Sequence, residues 1–194
     1  HSMAQEYHPE VGNQMLMDAI REHPSLIPVW TVMPHHTGEF PEPRELAGRL
    51  KQNGVKAVTM FPAAADQAYS MAEWNCGELF RVLEEGRIPL ILGLEQTSWN
   101  ELYELLSRHP ELNVILANVN YRIDRNLYVM LEKFDHLYLE TYGYKVFGGI
   151  EEICRRFGAR RLVYGSGMPV FSGSAAVSMI RYAQIGEEEK RMIA

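Results

Sequence analysis

The chain has 194 residues, of which 46% are hydrophobic and 23% charged, and its formal net charge at neutral pH is -6. This composition predicts one folded domain over residues 1–194 and excludes an intrinsically disordered chain. Lysine and arginine are scattered rather than clustered, so the sequence predicts no nucleic-acid partner.

Six short apolar runs are predicted to be strands, at residues 26–33, 55–61, 88–94, 113–119, 137–141 and 161–164. The segments between them have helical patterns, at residues 13–21, 44–51, 72–84, 98–107, 125–134 and 149–157. The runs are almost continuously apolar, which is typical of parallel strands that helices cover. The sequence therefore predicts a repeated βα unit.

Local signals at the ends of the predicted helices agree with this assignment. Ser98 followed by Glu101 matches a capping box at a helix start. Gly54, Gly86 and Gly158 each lie just before a strand, where glycine often ends a helix.

Six βα units fit either an open doubly wound sheet or part of a barrel. The glycine-rich phosphate loops that are common in open sheets are missing from the sequence. Several predicted strands end in polar residues, namely Glu95, Asn118, Asn120 and Glu140, as expected for a site at the C-terminal mouth of a barrel. We therefore predict an α/β fold, a (β/α)8 TIM-type barrel that lacks its first one or two βα units. Its unpaired strand edges would need the missing strands or a partner, so a homo-oligomer is an open alternative.

The two cysteines, Cys76 and Cys154, are far apart and form no CxxC motif, which favours a reducing compartment. No apolar run approaches the ~20 residues of a membrane span, and the first residues do not have the basic segment and apolar core that are typical of a signal peptide. We expect a cytoplasmic protein with no membrane partner. A tag remnant and a natural terminus would explain His1-Ser2-Met3 equally well.

Four stretches carry a resemblance to a known family, namely "GNQMLMDAIREHPSLIPVWTVMP", "GVKAVTMFP", "RHPELNVILANV" and "FGARRLVYGSGMP". From Glu10 to Ala194 the chain resembles the amidohydrolase-related branch of the amidohydrolase superfamily, which includes aminocarboxymuconate semialdehyde decarboxylase. The stretches correspond to the third, fourth, sixth and eighth strands of that barrel. The resemblance implies a barrel enzyme with metal-dependent hydrolase or decarboxylase activity.

The resemblance also implies a divalent, zinc-like cation, held by an HxH pair on the first strand, by histidines that end the fifth and sixth strands and by an aspartate that ends the eighth. The first strand is not present in this sequence. At the other positions the chain has Gly93, Asn118 and Gly167. Glycine has no ligand side chain and an amide is a poor zinc ligand, so the sequence does not identify the cofactor.

Glu95 follows Gly93 by two residues, so strand alternation would place both on one face and make Glu95 a candidate base. The alternative is an acid that caps a neighbouring helix. Asn118 and Asn120 would share a face in the same way, and with Tyr121 and Arg122 they could bind a carboxylate substrate. Turn formation is the alternative for the asparagines.

Glu140 ends a strand and is a candidate acid of the mouth, with a salt bridge to a helix as the alternative. The nearby Tyr142 is a candidate substrate-binding residue. His35 and His36 follow the first predicted strand as candidate substrate-binding residues, and either could bind a metal, although adjacent residues of an extended chain point to opposite sides. A solvated pair in a loop is the alternative.

Ser166 and Gly167, on the turn after the last strand, are further candidate substrate-binding residues. Their motif does not match the GxSxG nucleophile elbow, and Ser166 alternatively bonds its own backbone.

Two main functions remain open from the sequence, and the resemblance implies a metal-independent lactonase as a third, which would normally need the aspartate that Gly167 replaces. The first is a hydrolase or decarboxylase-like enzyme that acts on a small carboxylated or cyclic substrate, with Glu95, Asn118 and Glu140 as catalytic candidates. The second is a catalytically silent barrel that binds a ligand or acts as a scaffold.

Overall fold

The computed structural model describes residues 3–194, and His1 and Ser2 lie outside the described residues. This part of the chain forms six strands: β1 (Val29–Thr31), β2 (Ala57–Thr59), β3 (Leu90–Gly93), β4 (Val114–Ala117), β5 (Leu137–Glu140) and β6 (Leu162–Val163). All six predicted strands are confirmed. Each is shorter than predicted.

The main helices of the described residues are α1 (Pro9–Ile20), α2 (Pro43–Gln52), α3 (Glu73–Glu85), α4 (Trp99–Arg108), α5 (Asp124–Lys133), α6 (Gly149–Phe157), α7 (Gly173–Arg181) and α8 (Glu187–Ile193). Helix α1 begins earlier than predicted, with Pro9 in its first turn, where proline is favoured. Helix α7 is absent from the predicted elements. None of the helices in residues 3–194 is long and apolar enough to cross a membrane.

The chain divides into two compact units. Unit 1 comprises the residues up to Leu92 together with Gln96–Val114, and unit 2 comprises Gly93–Glu95 and Ile115–Ala194. Within unit 1, β1 pairs in parallel with β2 and β2 with β3. Within unit 2, β5 pairs in parallel with β6. Within each unit the paired strands follow the order of the sequence and helices connect them, which is the βα repeat of a TIM-type barrel.

Burial alternates along the strands of unit 2. In β5, Leu137 and Leu139 are buried, whereas Tyr138 and Glu140 are only half-buried. The continuous apolar runs predicted cover on both faces, so the second face is more accessible than expected. Glu140 lies on this more accessible face, which is where a substrate could reach it.

Helix ends follow the local signals of the sequence in most cases. Ser98 caps α4, and its partner Glu101 completes the predicted capping box. Gly54 and Gly158 have φ values of 66° and 87°, in the left-handed region that favours glycine. Gly86 ends α3 with a right-handed φ of -75°, so a positive φ is not what requires glycine there.

Both cysteines are free and buried. Burial raises the pKa of the Cys76 thiol to about 12 and that of Cys154 to about 11. Neither thiol is therefore a reactive thiolate near neutral pH.

The outer edge of β1 is capped by a side chain. The amide of Asn13, on α1, donates from Nδ2 to Thr31 O at 2.7 Å and accepts from Thr31 N at 2.9 Å. Val32 N bonds to β2, so the Thr31 groups lie on the other, unpaired side of the strand. At Thr31 the Asn13 amide therefore supplies the hydrogen bonds that a neighbouring strand was predicted to supply.

The outer edge of β6 is also satisfied locally. Thr141 N donates to Val163 O on the side of β5, and Tyr164 N donates to Ile193 O at 2.9 Å. The last turn of α8 thus supplies the acceptor that an adjacent strand would otherwise supply.

Replacement of Asn13 by alanine should lower the free energy of unfolding by about 1–3 kcal/mol, because two buried backbone groups of Thr31 lose their partners. Urea denaturation of the purified protein measures this change. Asn53→Ala is the matched control, since Asn53 makes one exposed bond to Arg49 O and its loss should cost less than about 0.5 kcal/mol. Equal losses for the two variants would contradict the edge-capping role of Asn13.

Candidate active site

Glu140 stands at the end of β5, beside a glycine of the chain that follows β6. The pair Glu140↔Val163 is in register, and Gly165 comes two residues later. A Cβ atom at Gly165 would overlap with Glu140 Oε1 and lie 2.7 Å from Glu140 Cγ. Only glycine at position 165 therefore leaves room for the Glu140 side chain as it is placed.

The surroundings of Glu140 favour its protonated form. Burial raises the pKa of its carboxyl group, and the hydrogen bond from Tyr142 N to Oε1, at 3.1 Å, offsets this effect only in part. Among the described residues no cation pairs with Glu140, so the predicted alternative of a salt bridge to a helix is not found. A carboxyl group of this kind can hold and release a proton closer to neutral pH than an exposed glutamate can.

Glu95 reaches the site through a turn and not through strand alternation. Strand β3 ends at Gly93, and Leu94–Gln96 form a 3-10 turn. The turn folds the side chain back, so that a Cβ atom at Gly93 would overlap with Glu95 Oε1 and lie 2.8 Å from Oε2. The predicted strand alternation between Gly93 and Glu95 was therefore wrong, although the turn does bring the Glu95 carboxylate next to Gly93.

Asn118 holds Glu95 in this place. It follows β4 with a φ of 50°, in the left-handed region that asparagine tolerates better than most residues. Its Nδ2 donates to Glu95 Oε1 at 2.8 Å. Glu95 is thus bonded to an amide, rather than capping a helix.

The Tyr142 ring lies beside Gly167. A Cβ atom at Gly167 would overlap with the edge of the ring and lie 2.9 Å from Tyr142 Cγ. The pKa of the Tyr142 phenol is raised, first by burial and then by the negative charges of Glu140 and Glu95. These effects place Tyr142 in the field of both carboxylates, so the three side chains form one cluster.

Two residues that were not predicted flank the Tyr142 ring. Phe171 packs against it with ring centroids 4.9 Å apart. Lys145 Nζ lies 5.9 Å from the centroid of Tyr142 and 5.1 Å from that of Phe171. Lys145 is exposed and has no ion pair within the described residues, so its ammonium group is available to an anion.

The other candidates after β4 and β6 make local contacts. Asn120 Oδ1 accepts from Arg122 N at 2.9 Å, which is turn formation. Arg122 stacks on the exposed ring of Tyr121, 5.2 Å from its centroid. Ser166 Oγ accepts from Met168 N at 3.3 Å, so Ser166 bonds its own backbone, which was its alternative in the sequence. A role of these residues in substrate binding stays a prediction.

His35 and His36 lie in unit 1. Their rings are 4.2 Å apart, because the chain turns at this point instead of remaining extended. The expectation that they point to opposite sides was therefore wrong. His36 Nε2 lies 3.3 Å from Asn75 O, and a role of either residue in binding stays a prediction.

The metal that the resemblance implies does not fit the residues present. Gly93 and Gly167 have no ligand side chain, and Glu95 and Tyr142 fill the adjoining space. The amide of Asn118 is engaged with Glu95. Within residues 3–194 no group of three or more histidine, cysteine or acidic side chains is arranged to hold a metal ion.

The raised pKa of Glu140 predicts a pH-dependent stability. The unfolded pKa is near 4.5 and the folded one is higher, so above pH 4.5 the folded protein binds more protons and its stability falls as the pH rises. Glu140→Gln keeps the Oε1 acceptor and removes the charge. At pH 7 it should raise the free energy of unfolding by up to about 1 kcal/mol, allowing for solvent screening.

This gain should nearly vanish near pH 4, where the carboxyl group of Glu140 is mostly protonated in both states. Urea denaturation at the two pH values measures it. A variant that is less stable than the wild type at pH 7 and equal to it at pH 4 would contradict the assignment.

Gly143 is predicted to be intolerant of any side chain. A Cβ atom there would overlap with Val119 O and lie 3.0 Å from Val119 N, and backbone atoms cannot swing aside. Gly143→Ala should cost about 1–3 kcal/mol of stability in thermal unfolding. Gly48→Ala, exposed inside α2 with open space around it, should instead stabilise the protein by up to about 1 kcal/mol. A neutral Gly143→Ala variant would show that the loop after β5 adjusts freely.

Comparisons with solved structures agree with the fold. An uncharacterised TIM-barrel protein from Bordetella bronchiseptica has a TM-score of 0.74 at 17% identity, over 93% of this chain and 68% of that one. 2,6-Dihydroxybenzoate decarboxylase from Rhizobium has a TM-score of 0.72 at 15% identity, over 96% of this chain and 74% of that one. Manganese-bound 5-carboxyvanillate decarboxylase from Novosphingobium aromaticivorans has a TM-score of 0.71 at 15% identity, over 95% of this chain and 67% of that one.

These likenesses confirm the TIM-type barrel fold, of which the chain spans about two-thirds to three-quarters. Among curated protein sequences no significant match is found. The model of a protein family described as amidohydrolase matches residues 8–194, which is nearly the whole chain. The resemblance seen in the four sequence stretches is therefore confirmed, and the chain belongs to the amidohydrolase family.

Proposed function

We propose that this protein is an enzyme that decarboxylates a small cyclic carboxylate and that Glu140 is its proton donor. The half-buried carboxyl group of Glu140 carries the proposal, because burial raises its pKa and no cation of the described residues neutralises it. Two of the structures with similar folds are named as decarboxylases of aromatic acids, which supports the same class of reaction here.

Decarboxylation requires one proton at the carbon that loses carbon dioxide. The bond between the ring carbon and the carboxylate breaks, and its electron pair forms a bond to the proton of Glu140. The products are carbon dioxide and the ring with hydrogen in place of the carboxylate. Glu140 is left as a carboxylate and is reprotonated from water. The balance needs no oxidant, reductant or further reactant.

The neighbours of Glu140 have binding roles in this proposal. Lys145, over the rings of Tyr142 and Phe171, supplies a positive charge for the substrate carboxylate. The rings supply apolar surface for a cyclic body. Glu95, held by Asn118, accepts a hydrogen bond from a hydroxyl or amino group of the substrate.

The metal-dependent route of the family is not part of the proposal, since the residues at the implied ligand positions, Gly93, Asn118 and Gly167, do not fit a cation. Hydrolysis at the same cluster would use Glu95 as the base that activates water. In that reaction Glu140 would protonate the leaving group, so Glu140 is required in both cases and the products distinguish them.

The test is a panel of monocyclic carboxylates and cyclic amides or esters, incubated with the purified protein in the presence of a chelator. Liquid chromatography identifies the product, and trapped carbon dioxide counts the decarboxylation events. Glu140→Gln should lower the rate at least about 100-fold. Glu188→Gln makes the same chemical change at an exposed residue of α8 and should leave the rate unchanged.

The dependence of the rate on pH is the second measurement. If Glu140 donates the proton, the rate falls as the pH rises through its pKa, because the proton is lost. Full activity of Glu140→Gln would refute the assignment. Turnover that requires added manganese or zinc would refute the metal-free route.

A catalytically silent ligand-binding protein is the second candidate. The observation in its favour is that Glu95 and Tyr142 occupy the space beside two positions where the family has metal ligands. Binding of a panel compound in calorimetry, without product from any compound, would support this function over decarboxylation.

A further inference from the structure

Three side chains of the cluster, those of Glu95, Glu140 and Tyr142, each occupy the space that a Cβ atom on a nearby glycine would need. The partners are Gly93 for Glu95, Gly165 for Glu140 and Gly167 for Tyr142. We call these the three glycine pairs. All six residues belong to unit 2.

We infer that the three glycines are positioning residues, each of which admits one polar side chain to the cluster, and that two of the pairs thereby close the site to a divalent cation. The inference is independent of the proposed decarboxylation, because it concerns the space between side chains and not the reaction.

The overlap differs in kind between the pairs. At Gly165 and Gly93 a new Cβ atom would meet the distal half of a glutamate, which can rotate away. The expected result is a displaced carboxylate in a folded protein. At Gly167 the new atom would meet Cδ2, Cε2 and Cγ of an aromatic ring that Phe171 packs against, so movement costs more.

The closure to metal follows from the same geometry. A ligand at position 93 needs the space that Glu95 takes, and one at position 167 needs the space of the Tyr142 ring. A ligand side chain introduced at position 93 would clash with Glu95, and one introduced at position 167 would clash with Tyr142. Ligand residues and the side chains that fill their space must therefore change together.

The Gly167 pair offers a matched control. Gly167 and Gly148 both have a φ of 66°, but a Cβ atom at Gly148 has no neighbour within 4 Å. Alanine at either position has the same unfavourable positive φ, and only alanine at 167 meets a ring. The two substitutions are to be compared in the wild type and in the Tyr142→Ala background.

In the wild type, Gly167→Ala should lower the equilibrium constant for folding about tenfold more than Gly148→Ala does. In the Tyr142→Ala background the two should have equal effects. Urea denaturation gives the constants. The same difference in both backgrounds, or no difference in the wild type, would overturn the pairing.

The Gly165 pair is tested by a property that a purely structural role would not change. Gly165→Ala should lower the pKa of Glu140 towards that of an exposed glutamate, because the displaced carboxylate gains contact with water. Carbon-13 NMR titration of the glutamate side chains measures this. An unchanged pKa in the folded variant would show that Gly165 does not position Glu140.

Closure to metal is tested with manganese and zinc alone, by calorimetry and metal analysis. One variant carries Gly93→His, Asn118→His and Gly167→Asp, and a second adds Glu95→Ala and Tyr142→Ala. Uptake of metal by the second variant only is the expected result. Uptake by the first variant, or by neither, would overturn the inference, because space would then not be what excludes the cation.

Discussion

The candidate site depends on one steric constraint, which is the lack of side chains at three glycines of unit 2. Glu95, Glu140 and Tyr142 occupy the space that is left, and their charges and burial then set the chemistry of the cluster. Hydrogen bonds run from Asn118 Nδ2 to Glu95 and from Tyr142 N to Glu140 and orient the two carboxylates. Gly93 and Gly167, two positions where the resemblance implies metal ligands, are therefore also the glycines that admit Glu95 and Tyr142.

The loop after β5 brings the remaining groups to the site. It carries Tyr142 and Lys145, and the fully buried Tyr144 lies between them. Tyr144 donates from its hydroxyl to Asp124 Oδ1 at 2.8 Å, at the start of α5. A buried tether in the middle of the loop restrains the two residues on either side of it, which limits the entropy lost when a ligand binds. The accessible face of the cluster is thus built on a fixed segment of chain.

Much of the fold could be predicted from the sequence, because strands and helices leave periodic and capping signals. The Ser98 capping box and the six strands are examples. The site could be predicted only in part. Glu140 was found because it ends a strand, whereas Gly165 gave no signal, since the clash that requires glycine involves a residue 25 positions away in the chain. Lys145 lies three residues after Tyr142, a spacing that could have suggested it, but Phe171 is distant in sequence and only the tertiary structure brings it to the ring.

The Asn13 amide at the edge of β1 has a consequence for the behaviour of the protein at high concentration. An open strand edge is a template on which strands of other molecules can assemble, and aggregation often begins there. Asn13 occupies both the donor and the acceptor of Thr31, so an incoming strand would find no partner at that residue. A side chain of helix α1 therefore gives β1 local protection from intermolecular β-sheet growth.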